Sequence, residues 1–311
     1  MSVRSAAGNL IDEFRSRPTL RAGSLITTVF GDAIAPRGGT VWVGSLIRAM
    51  ADFGISERLV RTSVFRLSAD GWLESHSVGR RSFYGLTREG GRRFEQATRR
   101  IYGEPRQSWN GEWCVVLLGG APTALRESLR KDLGWLGFGA ISASVMAHPS
   151  PSEPELHALL EREGAAADVV VLTGRSSGDA QDMKLRELAE KSWNLDDIGA
   201  RYDAFLARFR PAYRAVRRAG TVGPREAFQI RTLLIQEYRK ILLRDPLLPV
   251  DLLPADWKGL AAYQLCRNLY RAVCEPSETY LVETLETAEG PLPPPSPDFY
   301  ERFGGLSRAA A

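Results

Sequence analysis

The sequence has few of the residues on which metal and redox chemistry depend. It contains three cysteines and three histidines in 311 residues. Cys114, Cys266 and Cys274 are odd in number and lack the spacing of a zinc site, and the histidines lie far apart. We therefore expect buried or free thiols in a reducing cytoplasm, with no metal site and no cofactor.

Long apolar runs and catalytic motifs are also missing. No stretch of about 18 apolar residues occurs, so no transmembrane helix is expected. The first residues include Asp12 and Glu13 and lack the apolar core of a signal peptide, which favours a cytoplasmic protein. No GxSxG, GxGxxG or P-loop sequence is present, so we expect a protein that is not an enzyme.

Lysine is absent from the first third of the chain, and the positive charge there comes from arginine. Residues 1–108 hold 17 arginines and 10 acidic residues, a net charge of +7, whereas residues 109–311 have a net charge of −3. A whole-chain charge of +4 hides this asymmetry. Positive charge gathered at one end indicates a domain that binds nucleic acid.

Residues 55–86 carry the strongest functional pattern. Ser56 is a favoured helix N-cap and Gly71 a favoured stop, which predicts a short helix between them. At 100° per residue, the inner side of this helix carries Val60, Ser63, Val64 and Leu67. The outer side carries the groups that contact bases and phosphates in a major groove, namely Arg58, Arg61, Thr62, Phe65 and, on its flank, Arg66.

A predicted β-hairpin follows this helix, with strands over residues 72–77 and 82–86. Its turn carries Arg80 and Arg81, which are suited to a phosphate or a narrow minor groove. Upstream, the pattern predicts a helix over 20–33, a short strand over 40–43 and a second helix over 46–53 capped by Ser45. This order predicts a winged helix-turn-helix; a solvated arginine face on an ordinary surface helix is the alternative.

The middle segment predicts a second domain. Strands over 113–118, 137–142, 144–148 and 168–173 alternate with helices over 124–136 and 153–163, the βαββαβ order of a ferredoxin-like fold. After residue 181 the chain is mostly helical, with helices predicted over 180–193, 196–219, 227–243 and 260–273. The proline-rich residues 290–295 are expected to be extended.

Several long motifs resemble the PaaX family of bacterial repressors. They are SLITTVFGDAIAPRGGTVWVGSLI, FGISERLVRTSVFRLSADGWL, GRRSFYGLTREG, RDPLLPVDLLPADW and FYERFGGL. The resemblance runs from about Ser24 to Leu306. It implies a homodimeric cytoplasmic repressor on double-stranded operator DNA of phenylacetic acid catabolism, released by the effector phenylacetyl-CoA. It also implies that the middle segment is a Cas2-like module.

The fold class expected from pattern and resemblance together is a multidomain α+β protein. Its parts are an N-terminal winged helix-turn-helix domain (20–104), a central ferredoxin-like, Cas2-like domain for dimerisation or packing (109–178) and a C-terminal mostly helical domain for effector binding and dimerisation (181–306). Cas2-type nucleases keep an aspartate at the end of the first strand. Here Val116-Leu117-Leu118-Gly119-Gly120 supplies no carboxylate, which argues against a metal-dependent nuclease.

A receptor for a CoA thioester needs basic residues at the mouth of an apolar cavity. The candidate effector residues in the helical part are Trp193, Arg231, Tyr238, Arg239, Lys240 and Arg244. Trp193, Trp257 and Tyr263 are candidates to line an aromatic slot for the ligand. One alternative is that these basic residues are only the solvent-exposed face of packed helices. Two others are that a different acyl-CoA is the effector, or that this half of the chain is an enzyme of CoA metabolism.

Overall fold

The structure is a computed structural model that describes residues 1–17, 22–105, 109–149, 151–175, 184, 187–188 and 190–306. The chain divides into two compact units. The first contains residues 1–104, 204–240 and 261–311, and the second contains residues 105–203 and 241–260. Each unit therefore combines residues that are distant in sequence.

The amino-terminal part of the first unit alternates helices with a three-stranded sheet. Its elements are α1 (Val3–Arg15), α2 (Ala22–Val29), β1 (Thr40–Trp42), α3 (Val43–Ala51), α4 (Glu57–Ala69), β2 (Leu73–Val78), β3 (Arg81–Leu86) and α5 (Arg88–Tyr102). The antiparallel strand order is β1-β3-β2. The short predicted strand therefore does pair with the hairpin, through Val41 opposite Tyr84.

Local sequence accounts for the ends of α4. The Ser56 hydroxyl accepts the amide hydrogen of Leu59, and the helix stops where Gly71 adopts φ +72°. Because side chains disfavour this left-handed backbone, glycine stabilises the stop. Leu25, Ile26, Val29 and Phe30 are buried as the periodicity of the preceding helix predicts.

Two predictions for this region need correction. Ser45 is not the N-cap of α3, because that helix begins at Val43 with Trp42 in the capping position. The Ser45 hydroxyl instead donates to the Trp42 carbonyl inside the first turn, at 2.8 Å. The predicted helix over 20–33 also continues as a π-helical turn, Phe30–Ile34, which carries the buried Asp32.

The second unit contains a four-stranded antiparallel sheet with two helices on one face. Its elements are β4 (Trp113–Leu117), α6 (Thr123–Trp135), β5 (Gly139–Ser142), β6 (Val145–His148), α7 (Glu153–Arg162) and β7 (Val170–Gly174). The strand order is β5-β6-β4-β7, as a ferredoxin-like unit requires. Val116 and Leu118 face the helices and are fully buried against Leu129 and Leu133, which close this core.

Long helices dominate the rest of the chain: α8 (Leu195–Ala219), α9 (Pro224–Leu242) and α10 (Gly259–Thr284). The predicted helix over 180–193 falls largely outside the described residues. α10 is longer than predicted, because it continues past Val273 through Pro276. A proline in a helix removes one hydrogen bond, and the burial of Ser277 and Leu281 beyond it offsets that cost.

Residues 292–296 form neither helix nor strand, and a 3₁₀-helix, Pro297–Gly304, follows them. The predicted three-domain division stays a prediction. The compact units group the chain differently, since residues 204–240 and 261–311 belong with the amino-terminal segment and residues 241–260 with the middle segment.

Candidate nucleic-acid interface

The outer side of α4 is exposed along its whole length. Val60 and Val64 are fully buried and fix the helix against α2 and α3, which turns the opposite side outward. The predicted contact residues on this helix, Arg58, Arg61, Thr62, Phe65 and Arg66, are all exposed. Phe65 is 70% exposed, so its ring is accessible to a binding partner.

Two of these side chains have partners within the helix. Arg61 Nε donates to Glu57 Oε1 at 2.8 Å, and the Thr62 hydroxyl donates to the Arg58 carbonyl at 2.8 Å. The Arg61–Glu57 pair is more than half exposed on both sides, so its stabilisation is small, at most about 1 kcal/mol. Arg61 is therefore free to exchange this partner for an external one.

The hairpin turn presents one arginine directly to solvent. Val78 pairs with Arg81, so the turn consists of Gly79 and Arg80. Gly79 adopts φ +59°, which a two-residue hairpin needs at its first central position. Arg80 is exposed at the tip, and among the described residues it has neither a hydrogen bond nor an ion pair.

Arg81 is held by contacts that the sequence analysis did not anticipate. Its guanidinium lies 4.3 Å from the Trp42 ring centroid and 3.0 Å from a Glu286 carboxylate oxygen. Arg48 lies against the same ring at 5.1 Å and pairs with the same carboxylate at 2.6 Å. The Trp42 amide also donates to the Glu286 carbonyl at 2.7 Å. The segment after α10 thus anchors the hairpin at the residue that follows its turn.

A buried carboxylate organises the interior of the first unit. Asp32 accepts hydrogen bonds from Arg231 Nε at 2.7 Å, Arg302 at 2.9 Å, and the hydroxyls of Tyr102 at 2.6 Å and Tyr270 at 2.8 Å. All five side chains are buried. The cluster joins the π-helical turn that follows α2 to α5, α9, α10 and the terminal 3₁₀-helix, so it ties the amino-terminal helices of the first unit to its later helices.

The charges in this cluster shift the pKa of its members. Burial raises the pKa of Asp32, but the charges of Arg231 and Arg302 and the Tyr102 hydrogen bond outweigh it, so its pKa lies below the ordinary value. Burial also raises the pKa of Tyr102, and the negative charge of Asp32 raises it further. Asp32 is therefore ionised and both tyrosines are neutral hydrogen-bond donors in the folded protein.

Arg231 was expected at the mouth of an effector cavity, and the structure buries it instead. Only 1% of its side chain is exposed, and besides Asp32 it pairs with Glu278 at 2.5 Å. Arg37, which is also buried, pairs with the same glutamate. Burial of this cation is tolerated because two carboxylates surround it.

The other predicted effector residues are divided between the two compact units. In the first unit, Tyr238 is buried against Phe205 and Lys240 pairs with Glu237 at 2.8 Å. Arg239 donates to Thr28 at 2.8 Å.

In the second unit, Trp193 donates to the Gly137 carbonyl at 2.7 Å and lies over Trp113, whereas Arg244 is exposed. The two further aromatic candidates are similarly divided, because Trp257 packs on Tyr202 in the second unit and Tyr263 belongs to the first.

A small cavity lies beside Arg239 in the first unit, between α2, α5 and α9. Its volume is about 30 Å³, and its lining includes Thr28, Asp32 and Phe94. This space accommodates roughly one or two water molecules, far less than an acyl-CoA. In this conformation it does not serve as an effector pocket.

The described part of the chain contains neither a candidate metal cluster nor a candidate membrane-spanning helix. No group of three or more histidine, cysteine, aspartate or glutamate side chains there could hold a metal ion. None of the described helices combines the length and apolarity needed to cross a bilayer.

Comparison with known proteins identifies the family to which this chain belongs. Three family models match consecutive parts of the chain: PaaX-like protein over residues 21–90, the PaaX protein central Cas2-like domain over 106–186, and the PaaX-like protein C-terminal domain over 193–283. Together they span most of the sequence, and the chain belongs to the PaaX family.

One curated relative is similar over nearly its full length. It is the transcriptional repressor PaaX of Escherichia coli strain K12, 39% identical over 285 residues, which cover 91% of this chain and 90% of that protein. Among solved structures, the uncharacterized protein Rv0674 from Mycobacterium tuberculosis is 24% identical and aligns with a TM-score of 0.49, covering 76% of this chain and 89% of that one.

Proposed function

We propose that this protein is a cytoplasmic, non-enzymatic transcriptional repressor of phenylacetic acid catabolic genes. In this proposal it binds operator DNA as a homodimer and is released by phenylacetyl-CoA. The observation that carries the DNA-binding part is the exposed face of α4, whose arginines, threonine and phenylalanine point outward beside an arginine-tipped hairpin. Identity of 39% with a transcriptional repressor supports the regulatory role.

The amino-terminal elements act as a winged helix-turn-helix in this proposal. α4 enters the major groove as the recognition helix, α3 is the preceding helix, and the β2–β3 hairpin is the wing. Arg61 forms a bidentate contact with a guanine edge, and Phe65 contacts a thymine methyl group. Arg80 at the tip and Arg81 next to it, at the first position of β3, contact phosphates.

The tight anchoring of Arg81 refines its proposed role. A guanidinium held by an aromatic ring and a carboxylate is preorganised but partly neutralised. We therefore assign the stronger wing contact to Arg80, which is unpaired among the described residues and carries its full charge to the duplex. Arg81 contributes a positioned second contact.

In this proposal the other two predicted domains are responsible for dimerisation and for the response to the effector. The Cas2-like domain (109–178) serves dimerisation or packing, and the helical domain (181–306) serves effector binding and dimerisation. A homodimer fits the mechanism because one recognition helix reads only a few base pairs and a two-fold dimer doubles the site.

Effector release requires phenylacetyl-CoA to bind the free and DNA-bound forms with different affinity. Trp193, Tyr238, Arg239, Lys240 and Arg244 remain candidates for effector contacts. Arg231 would reach a ligand only if the buried cluster opened. Because the cavity beside Arg239 is too small for an acyl-CoA, we propose that the effector either enlarges this cavity or binds to another conformation of the protein.

A titrated DNA-binding assay tests the proposal. Fluorescence anisotropy would be measured on the DNA immediately upstream of the protein's own gene and on a random duplex of equal length. Phenylacetyl-CoA, phenylacetate and free CoA would be added separately. Preferential binding to the upstream DNA, with release by the thioester alone, is the expected result. Release by a different acyl-CoA would support the proposed repressor function but assign it to a different pathway. Equal binding to both duplexes would contradict the proposed function.

A matched pair of variants tests whether α4 is the recognition helix. We expect Arg61→Ala to reduce affinity for the upstream DNA by about 1–3 kcal/mol while changing affinity for random DNA much less. The control is Arg162→Ala, which removes a 63% exposed arginine from the second unit. Equal losses on both duplexes for Arg61→Ala would show that this residue contacts only the backbone.

A further inference from the structure

The carboxyl-terminal half of α8 carries a second basic surface that the proposed winged helix does not use. Arg210, Arg214, Arg217 and Arg218 follow one another at spacings of four, three and one residues, which places them on one side of the helix. All four are exposed. The opposite side of this helix is buried, with Phe209 and Val216 in the core of the first unit.

We call these four arginines the strip. Nothing in the described part of the molecule neutralises their charge. None of the four arginines has an ion pair or a hydrogen bond there, whereas Arg208 on the neighbouring face pairs with both Glu13 and Glu237. The acidic residues on the same side of this helix, Asp203 and Asp196, lie seven and fourteen residues before Arg210. Four like charges within about two and a half turns repel each other, and an external polyanion would relieve that repulsion.

The strip and the start of α4 belong to the same compact unit and are linked by short connections. α8 ends at Ala219 and α9 begins at Pro224, so these ends lie within about 18 Å. In the first turn of α9, Arg225 pairs with Asp52 at 2.5 Å. Asp52 closes α3 four residues before Ser56, the N-cap of α4.

We propose that Arg210, Arg214, Arg217 and Arg218 form a second contact strip for the sugar-phosphate backbone of the duplex held by α4. This inference rests on the proposed DNA-binding function and extends its footprint. Because phosphates are the same in every sequence, the strip strengthens binding without adding sequence preference. Along the strip, Arg210 and Arg217 are about 10.5 Å apart at 1.5 Å per residue, a span that admits contacts to more than one phosphate.

Salt-dependent DNA binding by the full-length protein tests the strip. The variant replaces all four arginines by glutamine, and a charge-matched control removes four exposed basic residues of the second unit: Lys131→Gln, Arg162→Gln, Arg175→Gln and Lys191→Gln. A third variant replaces the strip arginines by lysine. Binding constants for the upstream duplex and the random duplex are measured from about 50 to 300 mM salt.

The expected result is a loss in the salt slope of about 0.9 for each phosphate contact removed by the glutamine variant. The loss is equal on the two duplexes, since backbone contacts carry no sequence information. The lysine variant keeps most of the slope because lysine also binds phosphate. The second-unit control keeps the wild-type slope, and circular dichroism of all variants matches the wild type because every changed side chain is exposed.

Each contrary outcome has a distinct meaning. A glutamine variant with the slope of the control overturns the strip, even if the wild type binds DNA as proposed. A normal slope together with weakened binding of CoA or a changed oligomeric state also overturns it, in favour of a nucleotide ligand or a second copy. Wild-type protein that binds neither duplex refutes the proposed function itself, before the strip is tested.

Discussion

Replacement of Asp32 by asparagine is the sharpest test of how the first unit is held together. Asp32 is 3% exposed and accepts hydrogen bonds from two arginines and two tyrosines. Asparagine keeps the size and one carbonyl oxygen but removes the charge. Arg231 and Arg302 then remain buried with one fewer carboxylate between them, and the asparagine amide faces other donors.

The expected loss follows from the cost of an uncompensated buried charge. Removing one partner of a buried ion pair costs about 3–5 kcal/mol, which is a large share of the roughly 5–15 kcal/mol of a typical domain. Since Glu278 still partners Arg231, the unpaired charge falls mainly on Arg302. We therefore expect Arg302→Met in the Asp32→Asn background to restore part of the loss, because it removes that cation.

Hydrogen exchange followed by mass spectrometry separates the two compact units in one experiment. Amides of α9 and α10 that exchange through global opening should exchange at least roughly a hundredfold faster in Asp32→Asn, which corresponds to about 3 kcal/mol. Amides of β4 and α6 in the second unit should change little. The control is Asp298→Asn, at an exposed aspartate. Exchange within a factor of about five of wild type in α9 and α10 would refute this account of the cluster.

The pH dependence has a defined sign. The pKa of Asp32 is lowered in the folded protein, so its contribution to stability is complete above the ordinary aspartate pKa of about 3.9. The contribution is lost as the pH falls through the folded pKa. The difference in unfolding free energy between wild type and Asp32→Asn should therefore be constant between about pH 5 and 7 and shrink below about pH 4. A difference that grows on acidification contradicts the assignment.

Three further predictions concern packing and surface charge. Gly139→Ala should destabilise the second unit by about 1–3 kcal/mol, because the new methyl group would lie 2.5 Å from a tryptophan ring; Gly119→Ala, with open space around it, is the thermal-denaturation control. Leu46→Ala should cost about 2–5 kcal/mol in urea denaturation, whereas Leu59→Ala, at a 41% exposed position, should cost less than about 1 kcal/mol. Glu286→Gln should lower stability by less than about 1 kcal/mol, since its two arginine partners are half exposed, and a larger drop in melting temperature would contradict this.

The secondary structure around the candidate interface was largely predictable because it depends on local rules. Ser56 and Gly71 delimit α4 through hydrogen bonding and backbone geometry within a few residues. The βαββαβ order of the middle segment followed from periodicity. The local rules failed at Pro276, where α10 continues, because burial of the following turn outweighs the lost hydrogen bond.

The roles of charged residues were much less predictable. Arg231 follows Phe228 by three residues and precedes Tyr238 by seven, so it lies on an apolar face of α9. That spacing was a signal for burial, but arginines are seldom buried without a partner, and the partner cannot be seen locally. Asp32, alone in the apolar stretch ITTVFGDAIA, was the matching signal. The two meet over a separation of 199 residues.

The sequence by itself determined most of the helices and strands, which side of α4 faces outward, and where positive charge is concentrated. These properties follow from spacing and capping, which act over a few residues. The tertiary structure alone decided which arginines are available to a ligand. It buried Arg231 and Arg302 against Asp32 and anchored Arg81 to Glu286, while Arg80 and the strip on α8 stayed exposed. Charge pairing depends on distance in space, and folding brings together residues that no local pattern connects.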